Sequence, residues 1–310
     1  MLSDRIVKRM LAGCLALGLA LGAGTAQALE IFACEPEWAA LAKVLAPEAR
    51  IISATHARQD PHHIEARPAL ISGLRRADLA VCTGASLEAG WLPMLQQRAG
   101  NRAVQTGRDG MFFAAEVVDL LDAHEHVDRS MGDVHAEGNP HFHLDPHRLA
   151  RVAAALAERL AVVDPAGAAG YRSRHQAWAQ DWARRIDAWA ERARPLEGRP
   201  VVAQHTAFRY LWQWLGLEQV ADLEPKPGLP PTIAHLQRVL QQVSGDDTRP
   251  IAVVRALHQD PQAAQWMVSR LPVPLLVLPA TVTDDGQAGD LPGLFDTLID
   301  ELLRAAAQTP

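Results

Sequence analysis

The sequence predicts an α/β fold: two α/β lobes with mainly parallel sheets, joined by a long linking helix, with a ligand cleft between the lobes. Three observations predict it. Strand-type runs such as LEIFAC and RPVVAQ alternate with helix-type runs in both halves of the chain, as expected when parallel strands are connected by helices. A long amphipathic pattern separates the two alternating halves. About 282 of the 310 residues remain beyond an N-terminal leader, enough for two modest cores.

The leader comes first. Arg5, Lys8 and Arg9 precede an apolar run from Met10 to about Gly24, and Ala26-Gln27-Ala28 is a small-x-small cleavage signal. Residues 1–28 therefore read as a secretory signal peptide. The run is too short and glycine-rich for a comfortable membrane span. Leu11-Ala12-Gly13-Cys14 has the form of a lipid-attachment box, but it precedes the apolar run instead of following it, which disfavours lipid anchoring. Beyond the leader, 27 basic and 35 acidic residues give a net charge of −8. No basic arm or patch stands out, so nucleic acid is excluded as a partner. Export also places Cys34 and Cys82 in an oxidising compartment.

Residues 29–163 form the expected first lobe. The runs LEIFAC, ARIISAT and DLAVCTG are strands, with EWAALAKVLA and ALISGLRRA as helices between them. In a flavodoxin-like strand order the first and third strands are neighbours, and Cys34 and Cys82 end those two strands. A disulfide and a pair of buried thiols both fit this placement. An alanine-rich helix follows, ending near Val163. Residues 164–197 form the linking helix, with Asp164 as N-cap, Pro165 in its first turn and Pro195 as its stop. Trp178, Trp182 and Trp189 share one stripe of it, a packing pattern. Residues 198–310 repeat the alternation, with strands in RPVVAQHTA, IAVVRAL and VPLLVLPA and a closing helix in LFDTLIDELLRAA.

Ligands of open α/β sheets sit beyond the carboxyl ends of strands. His62 lies in the loop QDPHHIEARP after the second strand, His141 in GNPHFHLDPH ahead of a helix, and His205 directly after the strand VVAQ. Two come from the first lobe and one from the second, so an ion bound by all three would lie in the cleft between lobes. Histidine is the commonest protein ligand for zinc. Pro61 and Pro140 stiffen two of the loops before any ion arrives. Asp60 and Asp145 stand close enough in sequence to take a spare imidazole N–H, and Asp145-Pro146 also has the form of a helix start. His63 is expected on the loop surface.

These motifs carry a resemblance. DPHHIEARP followed by ADLAVCTGASLEAGWL, NPHFHLDP, and QHTAFRYLWQWLGL are similar to the three metal motifs of the zinc- and manganese-binding subunits of ABC importers, the ZnuA/TroA-like cluster of periplasmic solute-binding proteins. The resemblance covers nearly the whole chain beyond the leader. It implies His62, His141 and His205 as metal ligands, a periplasmic location, and delivery of the ion to an inner-membrane permease and through it to an ATPase. It implies a monomer with no organic substrate. Two departures stand out. His143 replaces the usual tryptophan of the second motif. The family's fourth ligand, often an aspartate after the strand matching VPLLVLPA, has no clear counterpart: Asp284 and Asp285 fall several residues late, leaving them, a glutamate or water to complete the site.

Imidazole ligands suit zinc, while Mn2+ prefers more oxygen donors, so zinc is the expected ion. The stretch AHEHVDRSMGDVHAEG carries His124, His126 and His135, and reads either as a solvated loop or as a weak collector that passes metal to the cleft. A zinc hydrolase built on three histidines is a different class of function. It would need a base beside metal-bound water. No HExxH, GxSxG, GxGxxG or P-loop motif is present, and nothing in the sequence aims Glu65 or Glu224 at an ion. A metallochaperone or adhesin with the same site is a third possibility. Arg255, following a strand, is placed to pair with Glu224 or another carboxylate near the site.

Overall fold

The structure is a computed structural model that describes residues 28–128, 131–245, 248–284 and 286–309. The expected signal peptide, but for Ala28, and Asp285 lie outside the described residues. Four strands, β1 (Glu30–Ala33), β2 (Arg50–Ser53), β3 (Leu79–Cys82) and β4 (Met111–Phe113), form one sheet in the order β2-β1-β3-β4. A second sheet of β5 (Pro200–Ala203), β6 (Glu218–Asp222), β7 (Val253–Ala256) and β8 (Leu275–Leu278) has the order β6-β5-β7-β8, and every pairing in both sheets is parallel. The first lobe adds α1 (Pro36–Leu45), α2 (Pro68–Arg76), α3 (Leu92–Ala99) and α4 (Pro146–Val163). After α5 (Ala168–Ala193), the second adds α6 (Arg209–Leu215), α7 (Ile233–Val243), α8 (Gln262–Val268) and α9 (Leu291–Gln308). Among the described residues, no helix is long and apolar enough to cross a membrane.

The strands legible in the sequence are the buried ones. β1 (EIFA) and β3 (LAVC) are buried at every position, the condition of a parallel sheet covered on both faces. The sequence reading missed β4, only three residues long, and β6, an edge strand of mixed polarity that is half-exposed. Helix starts follow local chemistry. Pro36, Pro68 and Pro146 occupy first positions, where the missing N–H costs nothing. Asp145, Thr232 and Asp290 accept main-chain N–H groups as N-caps of α4, α7 and α9.

The linking helix begins later than the sequence suggests. Asp164 ends α4, its N–H bonded to Leu160 O at 2.8 Å, and its carboxylate accepts the Tyr171 hydroxyl at 2.6 Å. That tie closes a short turn, and α5 starts at Ala168. α5 packs on α1 and α4 of the first lobe and on α9 of the second. Its tryptophan stripe is the reason. Trp182 stacks on Trp178 at 4.8 Å, meets Trp189 edge-on at 5.1 Å, and both Trp182 and Trp189 contact Phe295 of α9. The indole N–H of Trp182 donates to Pro146 O and that of Trp189 to Asp296, both at 2.9 Å, so neither is stranded by burial. The resulting apolar core is continuous from Ile31 and Val81 in one lobe to Val254, Leu278 and Leu298 in the other. A separate cluster covers the outer face of each sheet.

Polar ties cross the same seam. Thr281 donates to Glu37 at 2.5 Å, His143 Nε2 donates to Ala280 O at 2.7 Å, and His143 Nδ1 lies 3.2 Å from Glu37. His143, which stands where a tryptophan was expected, thus fills a buried site and joins the lobes.

Cys34 and Cys82 form a disulfide with Cα atoms 4.8 Å apart, which decides between the two readings left open by the sequence. Beside it, Glu88 accepts the N–H groups of Thr83 and Gly84. It thereby pins a turn in which Gly84, Ala85 and Ser86 all have positive φ (78°, 49° and 62°). Burial pushes the Glu88 carboxyl up to about 7, and burial with the neighbouring Glu88 and Glu37 charges raises Glu35.

Replacing Trp182 by alanine should cost about 3–5 kcal/mol in urea unfolding, the range for deleting a buried aromatic. A loss below about 1 kcal/mol, the ordinary surface range, would show that the seam does not depend on this ring.

Candidate metal centre

The three strand-exit histidines meet at the cleft. Ring centroids are 6.0 Å apart for His62 and His141, 5.9 Å for His141 and His205, and 6.4 Å for His62 and His205. They border a cavity of about 630 Å³ that is also lined by Asp60, Glu224 and His258. His63 is exposed at its mouth, as the sequence suggested.

Each ring is held from behind. His62 Nδ1 lies 2.8 Å from Asp60 Oδ1, which also accepts the His62 N–H at 3.0 Å. The His62 loop is fixed further by the Trp91 indole, which donates to Pro61 O at 2.9 Å. His205 Nδ1 lies 2.8 Å from Glu224 Oε2, and the same oxygen accepts the Gly228 N–H at 2.8 Å. With Nδ1 protonated toward a carboxylate, Nε2 keeps its lone pair for an ion. His141 is placed through its backbone: its N–H donates to Asn139 Oδ1, while Asn139 Nδ2 donates to Thr206 O and Asn139 O accepts from Tyr210.

Several sequence expectations are corrected. Asp145 does not reach His141; it caps α4 and pairs with Arg148. Asp284 is exposed and does not line the cavity, because the chain after β8 turns away toward Glu37. Glu224 faces Nδ1 of His205 instead of Arg255, whose guanidinium donates to Ala256 O and Gln259 O.

Two histidines were missed as members of the centre. His258 follows β7 as His205 follows β5, so the strand-exit rule that selects His205 would also have found it. His135, placed by sequence in a loop of three histidines, has Nε2 3.2 Å from His62 Nε2 and its ring stacked on His62 at 5.3 Å. His124 and His126 of the same stretch are exposed.

Burial sets the electrostatics. It holds His141 well below the usual imidazole range, reinforced by the neighbouring His205 and His62. His135 falls to about 4, first through burial and then through the His62 charge, and burial also lowers His258. For Asp60, burial acts upward, but the hydrogen bonds from His62 win and hold the carboxyl below its ordinary range. Imidazole rings backed by carboxylates have the chemistry of a divalent-metal site.

A profile of the family described as zinc-uptake complex component A, periplasmic (ZnuA), matches residues 31–305. The chain belongs to this family. That family's description is of a periplasmic metal-uptake component and not of an enzyme. The zinc-binding lipoprotein AdcA of Streptococcus pneumoniae serotype 4 is 24% identical over 186 residues, covering 59% of this chain and 36% of AdcA. The aligned region therefore spans about a third of that relative's length. A crystal structure of ZnuA superposes with a TM-score of 0.74 at 18% identity, covering 92% of this chain and 100% of that one. The solute-binding protein FpvC of Pseudomonas aeruginosa, in complex with Mn2+, gives 0.72 at 20% identity, covering 92% and 100%. Both structures share the fold of two lobes described above.

The depressed value of His135 has a measurable sign. Between an unfolded value near 6.5 and a folded value of about 4, the unfolded chain binds the extra proton, so this residue stabilises above that window and the stability is lost as pH falls through it. The metal-free protein should lose Tm relative to its His135→Gln variant as pH drops from 6.5 toward 4. Parallel Tm curves would mean that His135 is not buried as a neutral ring.

Proposed function

We propose that the protein captures zinc with high affinity in the periplasm and delivers it to an inner-membrane ABC permease, with His62, His141 and His205 as metal ligands. The observation that carries this reading is the meeting of those three rings, drawn from both lobes, around one cavity. The two carboxylates nearest the rings, Asp60 and Glu224, engage Nδ1 atoms, so the donors facing the cavity are nitrogens. Nitrogen donors favour zinc over manganese, whose sites are richer in oxygen. The signal peptide at residues 1–28 belongs to this reading, as do lobes at 29–163 and 198–310 linked by 164–197.

The shared apolar core supports a limited mode of delivery. Wide opening would expose much of that core to water, so metal exchange proceeds by small displacements at the cleft. The protein acts by recognition: the His62 and His205 rings are already oriented by Asp60 and Glu224, and little reorganisation precedes binding.

Single changes His62→Ala, His141→Ala and His205→Ala should each weaken zinc binding by roughly a hundredfold or more in competition titrations, since each removes a first-sphere donor. Asp60→Asn and Glu224→Gln should cost roughly 10–100-fold, acting through ring orientation. Zinc at a hundredfold excess over Kd should raise wild-type stability by about 2.7 kcal/mol. Mn2+ binding as tight as Zn2+ would overturn the choice of metal. Failure of the zinc-loaded protein to bind or stimulate a reconstituted permease would overturn the delivery step.

A further inference from the structure

Building on the zinc reading, we propose that the cleft takes its ion as a complex with a small nitrogen chelator, an amine carried on a flat apolar body that lies against the second lobe.

The cavity is far larger than an ion needs. A sphere reaching donors at about 2.1 Å encloses roughly 40 Å³. The cavity holds about 630 Å³, inside the range of about 300–1,000 Å³ for small-molecule sites. Past the three histidines its lining continues over Pro230 and Pro231, then Ile233 and Leu236 of α7, to Ala263 and Trp266 of α8. This part of the wall is apolar, and Ile233 is 57% exposed. An ion alone gives these side chains no apolar surface to meet. The indole of Trp266 is held in place from one side: the Arg270 guanidinium lies over its ring at 4.2 Å and donates to Trp266 O at 3.2 Å.

The polar part of the lining selects the charge and donors of the occupant. Asp60, Asp133, Glu224 and Asp260 line the cavity, and among the described residues no lysine or arginine does. A carboxylate chelator would meet uncompensated like charge there, and an amine would not. Gln204, directly after β5 and only 4% exposed, belongs to the same wall. Its Nε2 donates to Asp260 O at 3.0 Å, which fixes the orientation of the amide. Its Oε1 is buried and accepts a hydrogen bond from none of the described residues. A buried acceptor in that state costs free energy, and an amine N–H of the occupant satisfies it.

Three imidazoles leave room on zinc, which is four-coordinate and expands to five, for donors from outside the chain. Nitrogen donors there keep the preference for zinc over manganese. The histidines then recognise the ion, while α7 and α8 recognise what it is bound to.

The test is equilibrium dialysis of the full mature protein against picolylamine (an amine and a pyridine nitrogen on one flat ring), with and without one equivalent of zinc. The zinc-loaded protein should retain one picolylamine per chain, and the metal-free protein none. Picolinate, the same ring with a carboxylate in place of the amine, should bind more weakly by about tenfold or more. Ile233→Ser and Trp266→Ala should each weaken picolylamine binding by about tenfold, with zinc affinity measured in its absence unchanged. No retention by the zinc-loaded wild type at millimolar picolylamine would overturn the proposal and leave the zinc reading standing. Equal retention with and without zinc, equal retention of picolinate, or wild-type retention by both variants would overturn it as well. If the wild type binds zinc alone no more tightly than its His62→Ala and His205→Ala variants, the zinc reading fails and the proposal fails with it.

Discussion

The geometry of this molecule depends on the apolar seam between its lobes. Imidazoles borne by loops of two separate sheets can share one ion only if the sheets keep a fixed spacing to within a fraction of an ångström. Loops alone cannot impose that. The tryptophan stripe of α5, packed between α1 and α4 on one side and Phe295 on the other, can. Close-packed interiors resist shear because small shifts forfeit many contacts at once. The Glu37–Thr281 and His143–Ala280 bonds add direction to a junction that apolar packing alone would leave free to slide.

On that frame the centre is prepared for a cation without being strongly charged. Burial holds His141 below the usual imidazole range, and the carboxylates nearest the other two rings are turned to the Nδ1 atoms of His62 and His205. Asp60 and Glu224 still supply negative charge one shell out, which offsets the charge of an incoming ion. On the proposed reading, discrimination comes from donor type, while the attraction comes from the layer behind the donors.

Much of this was legible in the sequence, for identifiable reasons. Buried parallel strands such as β1 and β3 write themselves as apolar runs, and Pro-His dipeptides mark His62 and His141 because stiff, polar loops between such runs are conspicuous. β4 and β6 were missed because three residues, or an edge strand of mixed polarity, carry too little periodicity. The start of α5 was misplaced because Asp164-Pro165 has the form of an N-cap, and only the tertiary bond from Tyr171 assigns it to a turn. His135 could not be singled out from His124 and His126, since what distinguishes it is the passage of its segment over Pro227 and Gly228, a contact between residues roughly ninety positions apart. His258 was within reach of the rule already applied to His205.

Both sheets have the same strand order, so their strand exits can be compared one to one. In the first lobe the two central strands, β1 and β3, are locked together at their carboxyl edge by Cys34–Cys82. In the second lobe the matching strands are β5 and β7, and just past their ends stand His205 and His258 with no covalent bond between them. Equivalent places on a repeated scaffold thus serve as an anvil in one half and as a grip in the other. Whatever compliance the protein has toward a departing ion belongs to the half that was left unlocked.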